Sequence, residues 1–105
     1  MNSRKDLSLS VCVPTYNRAD LLEYLYKSLI SQDSSNVELV VVNDGSTDKT
    51  EEFVKHWISE SKVRIRYFHQ ENTGRGAALR KSLLNAKGEY SIIMDDDDYF
   101  VEGAL

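Results

Sequence analysis

Residues 37–42 read Val-Glu-Leu-Val-Val-Val, and Asn43-Asp44-Gly45-Ser46 follow at once. A short run that is apolar at nearly every position, rich in β-branched residues and ended by turn formers suits a strand covered on both faces. Strands of that kind belong to parallel sheets, whose crossover helices supply the cover. The rest of the chain has to provide those helices and further strands.

It does so in alternation. Residues 8–13 form a β-branched run that Pro14 is expected to stop, and residues 20–31 then read as a helix with Leu21, Leu22, Leu25 and Leu29 on one face. Asp20 and Glu23 favour the N-terminal end of that helix. After the apolar strand, Thr47 or Asp48 is placed to cap a second helix reaching about Glu60, with Phe53, Val54, Trp57 and Ile58 as its apolar stripe. Residues 63–68 alternate as a third strand nearer a sheet edge, residues 76–86 make a third helix ended by Lys87-Gly88, and residues 90–94 make a fourth strand. The order βαβαβαβ predicts an α/β, Rossmann-like parallel sheet with helices on both faces and right-handed crossovers. The expected strand order is 3-2-1-4, with a topological switch point between the first and fourth strands.

The chain has 105 residues, enough for one small domain. Its net charge of −4 argues against nucleic acid as the main partner, which would need a basic face. The single cysteine, Cys12, lies inside the first apolar run and reads as a buried filler; with no disulfide possible within the chain, a reducing, cytoplasmic location is expected. No apolar run approaches the ~18 residues that cross a bilayer, so no membrane segment is expected in this stretch. His56 and His69 lack metal-ligand spacing with the cysteine, and neither a phosphate-binding P-loop nor a dinucleotide fingerprint is present, since Leu79 stands where the last glycine of the latter would be.

The unusual polar residues fall in four places, each just past the carboxyl end of a strand: Pro14-Thr15-Tyr16-Asn17-Arg18, Asn43-Asp44-Gly45-Ser46, residues 70–75, and Asp95-Asp96-Asp97-Asp98. In open α/β sheets ligands bind at that edge. Four consecutive carboxylates repel one another, and a hard cation such as Mn2+ or Mg2+ relieves the repulsion because it takes oxygen ligands and completes its shell with water and phosphate oxygens. Asp44 at a strand end suits acceptance from a ribose hydroxyl or a base N–H. Tyr16 offers a ring for stacking, Thr15 a hydroxyl donor, and Arg75, between Gly74 and Gly76, a guanidinium for phosphate or base.

Four stretches together resemble the inverting family-two glycosyltransferases of the GT-A fold. They are Val11-Cys12-Val13-Pro14-Thr15-Tyr16-Asn17-Arg18, Val41-Val42-Asn43-Asp44-Gly45-Ser46-Thr47-Asp48, Asn72-Thr73-Gly74-Arg75-Gly76-Ala77-Ala78-Leu79, and Gly88-Glu89-Tyr90 followed by Met94-Asp95-Asp96-Asp97-Asp98. The resemblance implies a metal-dependent transfer of sugar from a nucleoside-diphosphate sugar, a UDP-sugar by expectation, to an acceptor hydroxyl with inversion. It puts Pro14, Thr15, Tyr16 and Arg18 around the nucleotide, Asp44 on the base edge, and Arg75 near base or diphosphate. The acidic run resembles the DXD motif, in which one aspartate contacts the ribose and another the metal. Two registers stay open, Asp95 with Asp97 or Asp96 with Asp97, and Asp97 is the metal ligand in both; Asp95 and Asp96 are carried as donor-binding residues.

The resemblance covers the chain from Leu9 onward, but the family's catalytic base lies in a later, acceptor-binding segment. Residues 1–105 are therefore expected to be a single nucleotide-sugar-binding domain, truncated before that half, with no catalytic residue of their own. A fourth strand left at the sheet's edge, partly apolar and unpaired, would favour self-association. The competing expectation is a non-catalytic module that binds a nucleotide sugar or a divalent metal. A receiver-like signalling domain fits less well, because its acidic pair would follow the first strand, where Pro14-Thr15-Tyr16 stands.

Overall fold

The computed structural model describes residues 7–105. Its elements are β1 (Leu9–Thr15), α1 (Ala19–Ile30), β2 (Val37–Asp44), α2 (Thr50–Glu60), β3 (Arg64–Gln70), α3 (Arg75–Asn85) and β4 (Tyr90–Ile93). The four strands form one sheet in the order β3-β2-β1-β4, and every pairing is parallel, as expected. Val37 to Asp44 is buried along its whole length, so β2 is the covered strand its composition demands. No helix among the described residues is long and apolar enough to cross a membrane.

Alternation along β1 and β2 sorts the two faces. Val11, Val13, Leu39 and Val41 point to one core, shared with Leu22, Leu25, Tyr26 and Leu29 of α1 and with Val54 and Trp57 of α2. The Tyr26 and Trp57 rings stack at 4.4 Å and 9°. On the opposite face Cys12 and Ala78 are fully buried, and the Cys12 thiol donates to the Ser82 carbonyl of α3. Burial pushes that thiol above its ordinary pKa, which suits a packing residue and not a nucleophile.

Three local expectations are corrected. Pro14 does not end the first strand: β1 continues to Thr15, with Pro14 opposite Val42. The pairing of β4 with β1 reaches only Cys12, so Pro14 lies where β1 has a partner on one side alone, a position that tolerates a missing N–H. Leu21 and Ile58 are exposed at 45% and 47%, because each sits one residue off the buried stripe and a helix turns about 100° per residue; Tyr26 and Thr50 are buried instead. Neither Thr47 nor Asp48 is the N-cap residue of α2; Lys49 holds that position without a side-chain cap. Asp48 still supplies the cap from one residue earlier, since its Oδ1 accepts from the Thr50 N–H at 3.0 Å and the Thr50 hydroxyl at 2.6 Å.

A buried polar node joins the sheet to the start of β4. Glu38, fully buried, accepts at Oε2 from the Ser10 hydroxyl and the Lys87 N–H, both at 2.6 Å, while Ser10 Oγ accepts from the Gly88 N–H at 2.7 Å. A Cβ at Gly88 would lie 2.7 Å from Ser10 Oγ and 2.8 Å from the Leu9 carbonyl carbon, so only glycine passes here. The two edge strands differ. β3 is half-buried, whereas β4 is exposed along its length, with Tyr90 at 67% and Ile93 at 49%.

Candidate donor and metal site

A cleft of about 580 Å³ opens at the carboxyl ends of the strands. Pro14, Thr15, Tyr16, Arg18, Asp44, Arg75, Asp95, Asp96 and Asp97 all line it, so the topology brings these nine residues to one place. Asn72, Gly74 and Ala78 line it as well. Those three carry little signal by type: one is a turn residue, one a glycine at φ 112°, and one a small, fully buried residue in the first turn of α3.

The loops that build the cleft are tied to one another by side-chain acceptors. Asn17, at φ 51°, receives the Thr47 and Asp48 N–H groups on Oδ1 at 2.7 and 3.2 Å. Asp48 answers by accepting the Ala19 N–H of α1 at 3.0 Å, so one carboxylate holds the first turns of both α1 and α2. Burial raises the affinity of Asp48 for a proton, but the donors from Thr50 and Ala19 outweigh it and hold the carboxyl below its ordinary range.

Asp44 is buried and faces the β3–α3 loop. Its Oδ1 accepts from Gln70 Nε2 at 2.9 Å and the Thr73 N–H at 2.8 Å, and its Oδ2 accepts from the Gly74 N–H at 3.0 Å. Burial pushes its pKa up, and those donors more than reverse the effect, leaving it below the ordinary carboxylate range. Asp44 thus anchors the loop that presents Arg75, and it keeps lone-pair capacity on Oδ2 for one further donor.

The acidic run divides into two environments. Asp96 is buried under β1, accepting the Thr15 hydroxyl on Oδ2 at 2.9 Å and facing Arg18 from Oδ1 at 3.5 Å. Its pKa is raised by burial, only partly countered by Thr15 and Arg18. Asp95, Asp97 and Asp98 are exposed, and one carboxylate oxygen from each lies within 4.8 Å of the other two. The turn brings Asp98 back, since its N–H donates to the Asp95 carbonyl at 3.0 Å. Asp98 had no separate signal within the run; only the turn geometry singles it out. Of the two registers, the geometry groups Asp97 with Asp95 and sets Asp96 apart. Arg18 reaches Asp97 at 3.3 Å, and Arg75 pairs with Asp95.

Comparison with known proteins gives a consistent result. A family model described as Glycosyl transferase family 2 matches residues 10–105. Glycosyltransferase GlyA of Streptococcus pneumoniae is 44% identical over 94 residues, covering 90% of this chain and 13% of that protein. The GalNAc(5)-diNAcBac-PP-undecaprenol beta-1,3-glucosyltransferase of Campylobacter jejuni is 40% identical over 99 residues, covering 92% of this chain and 32% of that protein. Among solved structures, S. aureus TarS 1-349 in complex with UDP superposes with a TM-score of 0.81 at 35% identity, covering 89% of this chain and 28% of that one. The mannosyltransferase PcManGT of Pyrobaculum calidifontis, in complex with GDP-Man and Mn2+, gives 0.80 at 33% identity, covering 88% of this chain and 28% of that one. The matched sheet is the GT-A sheet, and the chain belongs to glycosyl transferase family 2.

Proposed function

We propose that this chain is the donor- and metal-binding part of a glycosyltransferase that moves a sugar from a nucleoside-diphosphate sugar to an acceptor hydroxyl with inversion. The observation that carries the reading is the meeting, in one cleft, of the exposed Asp95 and Asp97 carboxylates with two arginines and the ends of β1 and β2, with the Asp98 carboxylate within reach of both aspartates. Neighbours bound to UDP, UDP-GlcNAc and GDP-Man with Mn2+ support a nucleoside-diphosphate sugar as ligand. A UDP-sugar is the donor we favour.

The three carboxylates fit a hard divalent cation, Mn2+ or Mg2+, in oxygen type and spacing, with Asp97 and Asp95 as its principal holders. When bound, such a cation neutralises charge on a departing nucleoside diphosphate. The remaining roles fall to side chains of this chain. Tyr16, 46% exposed, offers its ring to the base, and Pro14 and Thr15 shape the floor beneath it. Asp44 accepts from a base N–H, while Arg18 and Arg75 carry guanidinium groups to the diphosphate. In the transfer, the bond from acceptor oxygen to anomeric carbon forms as the bond to the diphosphate oxygen breaks. The acceptor's proton passes to a base that we place outside residues 10–105. The chain spans 13–32% of the curated relatives described above, and we assign the acceptor-binding half to the remainder of such proteins. The single buried thiol, Cys12, favours a reducing, cytoplasmic setting.

Calorimetric titration of nucleoside diphosphates in the presence of Mn2+ tests the reading and names the base. Saturable binding of UDP or GDP that depends on Mn2+ is expected; no heat with any nucleoside diphosphate would sink it. A non-catalytic binding module is the competing reading. It is separated by fusing the chain to the acceptor half of a relative and measuring transfer.

A further inference from the structure

Two guanidinium groups sit on the carboxylates that the cation would use. Arg75 pairs with Asp95, and Arg18 Nη1 lies 3.3 Å from Asp97 Oδ2 and 3.5 Å from Asp96 Oδ1. Asp98 has no such partner among the described residues. The pairs with Asp97 and Asp95 are open to water: the side chains of Arg18 and Arg75 are 49% and 58% exposed, those of Asp97 and Asp95 50% and 54%, whereas Asp96 is covered at 11%. Exposed ion pairs of this kind are weak, so their partners exchange readily. A guanidinium and a divalent cation on the same carboxylate compete for oxygen lone pairs and repel each other. A diphosphate, by contrast, takes guanidinium donors in the fork geometry that suits them.

We infer that Arg18 and Arg75 are exchangeable counter-ions, which screen Asp97 and Asp95 from a divalent cation when the cleft holds no diphosphate and leave those carboxylates for a diphosphate when it arrives. The inference rests on the donor-site reading above and adds a coupling to it. Diphosphate binding frees the oxygens the cation needs, so cation and nucleotide bind with positive cooperativity, part of which runs through the arginines. The arginines weaken cation binding in the empty cleft and strengthen nucleotide binding. Substitution should therefore move the two affinities in opposite directions.

The experiment is a titration of the 105-residue chain with Mn2+ alone, free Mn2+ being followed by electron paramagnetic resonance, then repeated with UDP present. Arg18→Gln and Arg75→Gln are each expected to bind Mn2+ alone about twofold to fivefold more tightly than wild type, and the double variant more so, in keeping with the strength of exposed ion pairs. The same variants should bind UDP more weakly, and UDP should tighten Mn2+ by a smaller factor than in wild type. The charge-conserving Arg18→Lys and Arg75→Lys should stay close to wild type with Mn2+. Mn2+ binding seen only in the glutamine variants would also support the inference. If wild type binds Mn2+ and UDP while the glutamine variants bind Mn2+ no more tightly, the counter-ion role is wrong and the donor-site reading stands. Failure of every form to bind Mn2+ even with UDP overturns both. Far-UV circular dichroism checks that the exposed substitutions leave the fold intact.

Discussion

The Thr15 hydroxyl donates to Asp96 Oδ2 at 2.9 Å, joining the last residue of β1 to the segment that follows β4. β4 pairs with β1 only from Leu9 to Cys12, so this bond continues the union of the two segments past the point where the ladder stops. It also removes Asp96 from the exposed trio. The acidic run is therefore a structural aspartate set among three that face solvent, and the two kinds should answer differently to substitution.

Thr15→Val should cost about 1–2 kcal/mol in urea denaturation, the usual loss when a buried acceptor is deprived of its donor. Burial raises the Asp96 pKa, so the folded state holds that proton more tightly than the unfolded state does. Its ionisation thus removes stability as pH rises from the ordinary carboxylate range through the raised folded value. Asp96→Asn should flatten that part of the pH–stability curve. A curve unchanged by Asp96→Asn would mean Asp96 titrates as it does when unfolded.

Asp97→Ala should abolish the metal-dependent part of thermal stabilisation by UDP, and Asp96→Asn should not. A ligand that binds only the folded state adds about 2.7 kcal/mol at a hundredfold excess over Kd, which reads as a shift of roughly 10 °C or more in Tm for a domain of this size. Equal loss in both variants would contradict the division of the run.

Asp48→Ala should destabilise by about 1–2 kcal/mol, because it uncaps α1 and α2 together. The Asp48 pKa is lowered, so the sign is opposite to that for Asp96. The stabilisation is present above the ordinary carboxylate range and is lost as pH falls through the lowered folded value. Asp48→Asn, which keeps one acceptor oxygen for two helix ends, should fall between wild type and alanine. Denaturation midpoints at neutral and acid pH check both statements.

Sheet order, parallel pairing and the edge that carries the site were legible because each depends on a pattern spread over many residues. The all-apolar β2, the alternation of β3 and the regular βα spacing leave few topologies that bury those strands. Pro14 misled as a stop because its tolerance in β1 depends on where a different strand, β4, ends its pairing. Leu21 and Ile58 misled because a single apolar residue beside a helical stripe looks the same in sequence whether the stripe's edge is covered or open. In the cleft, side chains chosen by chemistry came together, while the division of Asp96 from Asp95, Asp97 and Asp98 was invisible. It rests on a turn after β4 and a hydroxyl 81 positions earlier in the chain.

Glu38 sets the burial of a carboxyl side chain against the hydrogen bonds that hold it. Oε2 accepts from Ser10 and from the Lys87 N–H, whereas Oε1 is buried with no protein partner. Removing the acceptor strands a hydroxyl and a backbone N–H in the interior, so Glu38→Leu should cost about 2–4 kcal/mol. Glu38→Gln keeps an oxygen for both donors, so it should cost less than leucine, the remaining loss coming from an amide NH2 set where Oε1 has no protein partner. The Lys87 and Gly88 amides lead into β4, and the node holds them against Ser10 of β1 and Glu38 of β2. Their hydrogen exchange should therefore accelerate in Glu38→Leu by a larger factor than that of amides in β2. If leucine proves as stable as glutamine and the two amides exchange no faster, apolar burial alone holds the entry to β4, and the buried carboxylate has no part in setting the strand from which Asp95 to Asp98 emerge.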